Sequence, residues 1–281
     1  MTVHVLMPVF NRLAMTRAML ACLRMQQVDE PLSIVVIDDG STDGTDKFLQ
    51  TQTDVTVLPG NGSLWWGGAI DLGLRYVLEK AAPDDWVLLA NNDTQIEPGF
   101  VQSLICLARQ HAPAAIGSTI RDLRPPHRLL SIGPRIDAWS FWVGDALETL
   151  GQDGDAGEDV RGVDALSGRG VVYPVAALKA VNGMRPRWLP HYMADFELSL
   201  RVCDAGWRLL VSPAVSVKSH DHYGNSYRAS TLYERLFSVR SPSYLPAQLR
   251  FWWQASNFWQ RLSLPVRLAL FALYPRLRKK P

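Results

Sequence analysis

Short apolar runs that stop at polar clusters dominate the first third of this chain and leave few folds open to it. Val3-His4-Val5-Leu6-Met7-Pro8-Val9 reads as a buried strand, and Leu32 to Ile37 as a second with Ser33 its only polar residue. Asp54 to Leu58 and Trp86 to Ala90 read as a third and a fourth. Between them, Leu13 to Gln27 carries Leu13, Leu20 and Leu23 at helical spacing, and Gly67 to Lys80 also reads as a helix. Pro98 stands where a further helix can open. Strands that are apolar almost throughout suit a parallel sheet covered on both faces. Their alternation with helices predicts an α/β fold with a doubly wound, mostly parallel central sheet flanked by helices. Ligands of such sheets bind beyond the carboxyl ends of the strands. The polar clusters lie there: Asn11-Arg12 after the first strand, Asp38-Asp39 after the second, Asn91-Asn92-Asp93 after the fourth.

The chain has 281 residues, enough for a sizeable core. With 47% hydrophobic and 20% charged residues it is a globular composition. A net charge of +2 gives no reason to expect a nucleic-acid partner. Cys22, Cys106 and Cys203 are scattered, without zinc spacing, which suits a reducing compartment. Neither a signal peptide nor an apolar run of the ~18 residues a membrane span needs is evident, so a cytoplasmic location is expected. Gly151 to Asp159 reads as a surface loop. Asp195 to Ala205 reads as a helix with Phe196, Leu200 and Cys203 on one face and Gly206 as its stop.

The clusters carry specific chemistry. A carboxylate at Asp38-Asp39-Gly40-Ser41 can accept from a pyrimidine N–H or from ribose hydroxyls, and an ordinary capping turn uses the same residues. Asn91-Asn92-Asp93 offers the oxygen ligands that Mg2+ or Mn2+ prefers, although Asn and Asp also favour plain turns. Trp65-Trp66-Gly67-Gly68 allows close backbone approach at a helix start, and two adjacent tryptophans cannot easily share one core side.

Taken in order, Pro8 to Arg12, Asp38 to Asp43, Asn91 to Asp93 and Ala194-Asp195-Phe196-Glu197-Leu198-Ser199-Leu200-Arg201 resemble the family 2 glycosyltransferases, inverting enzymes of the GT-A fold. Gly62 to Ala69 looks like the rhamnosyltransferase-like branch, and the resemblance spans about residues 1–225. It implies a nucleoside-diphosphate sugar as donor, a glycan or lipid-linked acceptor, and a part in bacterial surface polysaccharide synthesis. It implies that Asp39 holds the nucleotide base or ribose, with Pro8, Asn11, Trp66 and Asn92 lining the donor pocket. Asp93 matches the last aspartate of the metal-binding DxD motif, with Asn91 where the first would stand, and His220 completes the metal site, with His222 its neighbour. Asp195 matches the catalytic base, with Ala194 in place of the usual glutamate and Glu197 as the alternative or a substrate contact. Trp188, with Pro190, His191 and Tyr192, can stack on the acceptor sugar or pack in the core. The implied division is a catalytic domain over 1–227, with nucleotide and metal in 1–120 and the acceptor in 121–227, followed by a helical extension over 228–281.

That extension is basic and aromatic: Glu234 is its one acid, and Phe251-Trp252-Trp253 and Phe258-Trp259 are interleaved with arginines up to Arg276, Arg278, Lys279 and Lys280. Such a segment suits a helix at an anionic membrane surface, on the inner face of the cell membrane, or one packed on the domain or on a second copy. Two readings compete with the transferase. A nucleotidyltransferase would carry a Gly-rich, basic phosphate loop, which Pro8 to Arg12 is not. A non-catalytic sugar-nucleotide-binding domain is compatible with Asn91.

Overall fold

A computed structural model describes residues 1–149, 160–220 and 227–273. The loop at 151–159, His222 and the basic residues from Arg276 onward lie outside them.

The apolar runs form the strands they predict: β1 Val3–Val9, β2 Leu32–Asp38, β3 Val55–Pro59 and β4 Trp86–Leu89. All four pair in parallel, in the spatial order β3-β2-β1-β4. Helices α1 (Leu13–Arg24), α2 (Thr45–Gln50) and α3 (Trp65–Leu78) supply the crossovers. The carboxyl ends of the parallel strands therefore share one rim, with Val9, Asp38 and Leu89 on it.

The second half of the sheet is less regular. After β5 (Thr94–Gln95) and α4 (Phe100–Gln110), β6 (Ala114–Asp122) leads to the short β7 (Leu129–Ser131). A separate hairpin follows, β8 (Pro134–Asp137) with β9 (Trp142–Asp145). Next come β10 (Arg161–Gly162), β11 (Val171–Pro174), α5 (Val175–Ala180), α6 (Ala194–Asp204) and the long β12 (Arg208–Ser219). β11 lies antiparallel between β4 and β6, which places its start, and the turn Ser167 to Gly170 before it, at the same rim as the end of β4. β12 runs parallel to β6 and ends there too. Parallel pairing dominates the sheet, as the strand composition requires.

Two local expectations need correction. Pro98 does not open α4; it sits in the turn before Gly99, whose φ of 83° starts the helix at Phe100. Of the face formed by Phe196, Leu200 and Cys203, only Phe196 and Leu200 pack against the core, and both only partly. Leu198 and Val202 are buried, Cys203 is exposed, and the charged Glu197 and Arg201 are buried with them.

The chain closes with α7 (Leu232–Phe237), α8 (Leu245–Ala255) and α9 (Phe258–Leu273). No described helix is long and apolar enough to cross a membrane. α8 packs on α6, and its Phe251 and Trp252, 0% and 2% exposed, join the cluster that includes Leu6, Tyr173 and Leu198. Trp252 also meets Phe141 of the hairpin edge-on, with ring centres 5.2 Å apart. Compositionally the extension starts at about 228, yet α8 belongs to the core. Phe251→Ala is expected to lower unfolding stability by about 3 kcal/mol in a denaturant titration, whereas an extension merely tethered to the domain would leave the midpoint unchanged.

Candidate active site

The site is built from the loops that follow the parallel strands. At the end of β1, Asn11 and Arg12 both adopt left-handed backbone, φ 56° and 67°. The Asn11 N–H donates to Ser41 Oγ at 2.7 Å, and its side-chain Oδ1 accepts from the Thr42 N–H at 2.9 Å. This stitches the ends of β1 and β2 together. Pro8 is half-buried within β1, beside Ile37.

Asp39 is the anchor of the next loop. Its Oδ1 accepts from the Gly62 N–H at 2.8 Å, and its Oδ2 from Leu64 at 2.9 Å and Trp65 at 3.1 Å. A carboxylate has about four lone-pair sites, so one is left for a base N–H or a ribose hydroxyl. The clamp holds Trp65 at φ 58° and separates the two tryptophans. Trp65 turns toward His191, with ring centres 5.5 Å apart, and Arg240 lies 6.0 Å from its ring. Trp66 turns toward the end of β4, where its indole N–H donates to Asn91 Oδ1 at 2.9 Å.

Asn91, Asn92 and Asp93 diverge. Asn92 is buried and its amide donates to Thr16 Oγ1 of α1 at 3.1 Å, so its side chain ties the sheet to a helix and does not line a donor pocket. Asp93 Oδ2 accepts from Arg12 at 3.0 Å, while its Oδ1 is buried without a protein partner. β5 pairs antiparallel with β12 through Thr94–Ser219, and the next step of that register sets Asp93 opposite His220. His220 is exposed there. Among the described residues, no three His, Cys, Asp or Glu side chains converge on one point. A carboxylate with one orphaned buried oxygen, drawn to a cation on the other, still suits a hard cation that takes its remaining ligands from a diphosphate.

Asp195 starts α6. Its Oδ2 accepts from the Gly168 N–H at 2.9 Å and its Oδ1 from the Phe196 N–H at 3.0 Å. Gly168 is packed so closely that a Cβ there would lie 2.2 Å from the Trp66 ring. Asp195, Gly168, Trp66 and Asn91 thus form one continuous line of contacts along the rim, and the Asp39 clamp holds the other end of it. Asp195 keeps some solvent access, but the protein around it removes most of its water and pushes its carboxyl above the usual carboxylate range.

Glu197 is different. It is 1% exposed and pairs with Arg201 at 2.9 Å, Arg185 at 3.1 Å and Arg250 at 3.3 Å. These three cations fill its acceptor sites from the opposite side of α6, so it serves α6–α8 packing and is not open to a substrate. Trp188 is exposed on the loop before α6, and His191 and Tyr192 stack edge-on at 4.4 Å. Burial lowers the His191 ring below its ordinary range and raises the Tyr192 hydroxyl.

Residues 4–128 match the family described as Glycosyl transferase family 2. The chain carries a glycosyl transferase family 2 domain. This glycosyltransferase is 28% identical over 258 residues to the N-acetylglucosaminyl-diphospho-decaprenol L-rhamnosyltransferase of Mycobacterium tuberculosis, a match covering 85% of this chain and 83% of the relative. Its GT-A fold is similar to that of GalNAc-T7, crystallised with UDP, GalNAc and Mn2+ (TM-score 0.67, 13% identity, 99% of this chain). The glycosyltransferase spans only 53% of that neighbour's length. A second neighbour is the mannosyltransferase PcManGT of Pyrobaculum calidifontis, in complex with GDP-Man and Mn2+ (TM-score 0.55, 17% identity, 97% of this chain and 75% of that one).

Two features of the glycosyltransferase site escape a reading by motif: the Gly168 N–H on Asp195, whose only trace is Ser167 to Gly170 ahead of an apolar run, and the Arg12–Asp93 pair. The raised carboxyl of Asp195 has a thermodynamic signature. A folded-state value above the unfolded one means the native protein binds the extra proton, so stability falls as pH rises through that window. In unfolding titrations across the acid range, wild type is expected to gain stability relative to Asp195→Asn as pH drops. A pH-independent difference between the two would contradict the buried, desolvated carboxyl.

Proposed function

We propose that this glycosyltransferase moves a hexosyl or deoxyhexosyl group from a nucleoside-diphosphate sugar to a hydroxyl of a lipid-linked glycan, with inversion, at the cytoplasmic face of the membrane during surface polysaccharide assembly. The observation that carries the reading is the line of contacts from the Asp39 clamp through Trp66 and Gly168 to Asp195. It links Asp39 to the enclosed Asp195 carboxyl, whose proton affinity is raised, and passes through Asn91, two residues before Asp93. The mycobacterial relative's name describes rhamnosyl transfer to a diphospho-decaprenol acceptor, which supports a lipid-linked acceptor of the same class here.

In this reading Asp39 uses its remaining lone pair on the base or ribose, while Pro8 and Asn11 shape the floor of the pocket. Trp66 holds Asn91 so that Asp93 projects at the end of β4. Asp93, with His220 opposite it, would hold Mg2+ or Mn2+, and that ion would supply Lewis-acid neutralisation of the departing diphosphate. Arg12, which holds Asp93 Oδ2, adds a second positive charge beside the same oxygens. Asp195 takes the proton of the acceptor hydroxyl as the new glycosidic bond forms on the face of the sugar opposite the diphosphate. Its depleted hydration favours that role, because a carboxylate that resists ionisation is a stronger base than one in open water. The Gly168 and Phe196 N–H groups hold its oxygens in place during the transfer. Trp188 offers an exposed apolar ring for the acceptor sugar.

Screening UDP-, GDP- and dTDP-sugars for binding and turnover identifies the donor. With that donor, Asp195→Asn is expected to lower kcat by at least about 10²-fold while leaving donor affinity within a factor of about two. Full turnover in that variant would remove Asp195 as base. Asp93→Asn is expected to raise the Mn2+ concentration needed for half-maximal donor binding; an unchanged requirement would place the ion elsewhere.

A further inference from the structure

Helix α9 carries apolar side chains on its outer side as well as its inner one. A helix on the surface of a water-soluble domain turns its apolar stripe inward and its polar face outward. Here Phe258, Trp259, Leu262, Val266 and Leu270 are all exposed, Trp259 to 70%, and Pro265 lies among them. At 100° per residue these side chains form one uninterrupted apolar face. The polar residues point the other way. Gln260 is buried and exchanges hydrogen bonds with Asn257 at the start of the helix. Arg267 reaches back into the domain, donating to the carbonyls of Ala138 at 2.7 Å and Trp139 at 3.0 Å, with Ser263 Oγ on its Nε. Leu264, 3% exposed, and Leu268 pack on the core beside these polar ties, so α9 is already anchored on its inner side and still leaves a second apolar face in the open. Water gains nothing from that arrangement.

The charges along this stretch of the sequence have one sign. Arg261 flanks it, donating to the Trp253 carbonyl at 2.9 Å with its guanidinium 5.5 Å from the exposed Trp253 ring. The sequence ends in Arg276, Arg278, Lys279 and Lys280, and no acidic residue follows Glu234. A second copy of the chain seated on this face would bring the same basic rim against itself, which like charges oppose. An anionic bilayer complements both features: hydrocarbon for Phe258, Trp259 and Leu262, and phosphates for the arginines and lysines.

We propose that the outward face of α9, with Trp253 beside it, docks the enzyme on an anionic lipid bilayer. The inference deepens the proposed function, since a lipid-linked acceptor would be presented at that surface, but its physics stands on α9 alone. α8 carries the docking face rigidly, because Phe251 and Trp252 fix it in the core next to α6, the helix that starts at Asp195. Docking would thus hold the acceptor-side rim at a set orientation to the membrane.

The test uses the full chain and flotation with phosphatidylcholine vesicles, with and without phosphatidylglycerol. Wild type is expected to float with the anionic vesicles and to lose binding as salt rises. The double variant Trp259→Glu, Leu262→Glu alters two exposed side chains and is expected to bind at least about tenfold more weakly, with unchanged melting temperature and donor turnover. Three results would overturn the proposal: wild type that stays in solution, a double variant that floats equally well, or a wild-type dimer in ultracentrifugation that the double variant disperses without any vesicle binding. Flotation needs neither donor nor acceptor. Wild type that turns over donor but does not float therefore sinks the docking face alone, and wild type that floats but turns over no donor sinks the transferase reading alone.

Discussion

Three backbone N–H groups, from Gly62, Leu64 and Trp65, converge on the carboxylate of Asp39, and the geometry of the rim follows from that convergence. Hydrogen bonds to an ionised acceptor contribute about 1.5–3 kcal/mol each, enough together to hold a short loop in one conformation. Two of the donors lie at the start of α3, where the helix dipole also favours a negative charge. The clamp fixes where α3 begins and in which directions Trp65 and Trp66 leave the chain. Trp66 then sets the position of Asn91, and its ring leaves room for no residue but glycine at 168. With a glycine there, the backbone N–H comes within reach of Asp195. One side chain at the end of β2 thereby aligns segments from four parts of the sequence.

Glu197 and Asp195 show how position on a helix separates two neighbouring acids. Asp195 stands in the first turn, where the Phe196 and Gly168 N–H groups meet its oxygens and Arg169 is near enough to favour the charged form. Desolvation outweighs these, and its carboxyl holds the proton more tightly. Glu197 points to the other side of the same helix into three guanidiniums, where burial is offset by charge. Motif spacing alone admits either residue as the base. Of the two, Glu197 is taken up by its ion pairs and Asp195 faces the rim.

The parts of the fold legible in the sequence are those where burial on both faces leaves an unbroken apolar run. β1, β2 and β4 qualify, and the polar clusters that end them mark the rim. β6 and the first half of β12 were not legible. In β6, Gly117, Ser118 and Thr119 interrupt the run although all three pack inside the sheet. In β12, Pro213 falls within the register shift between Ser212 and Ser216, where the strand leaves the ladder and rejoins it. The face of α6 was misread because its buried side includes Glu197, Ser199 and Arg201, which a hydrophobic pattern assigns to solvent. At the site, the carboxylates could be named from their places at strand and helix ends. Their partners could not. Arg12 reaches Asp93, and Gly168 reaches Asp195, across chain separations that only the folded sheet closes.

The asparagine at 91 makes physical sense once its partner is known. The indole of Trp66 is a neutral donor with a single N–H, and it meets Asn91 at 2.9 Å. An aspartate there would place a second negative charge two residues from Asp93, with no cation aimed at it, because Arg12 is already engaged with Asp93. The amide accepts the same hydrogen bond without that charge. The rim near β4 then holds one carboxylate and one guanidinium, close to neutral, with a single buried oxygen of Asp93 left without a partner. In the proposed function, such a site would take a cation already bound to a diphosphate more readily than a lone one, since the phosphates add negative charge and Arg12 can meet it. The asparagine at 91 would then leave the donor to supply the missing negative charge, and occupation of the cation site would be coupled to arrival of the substrate.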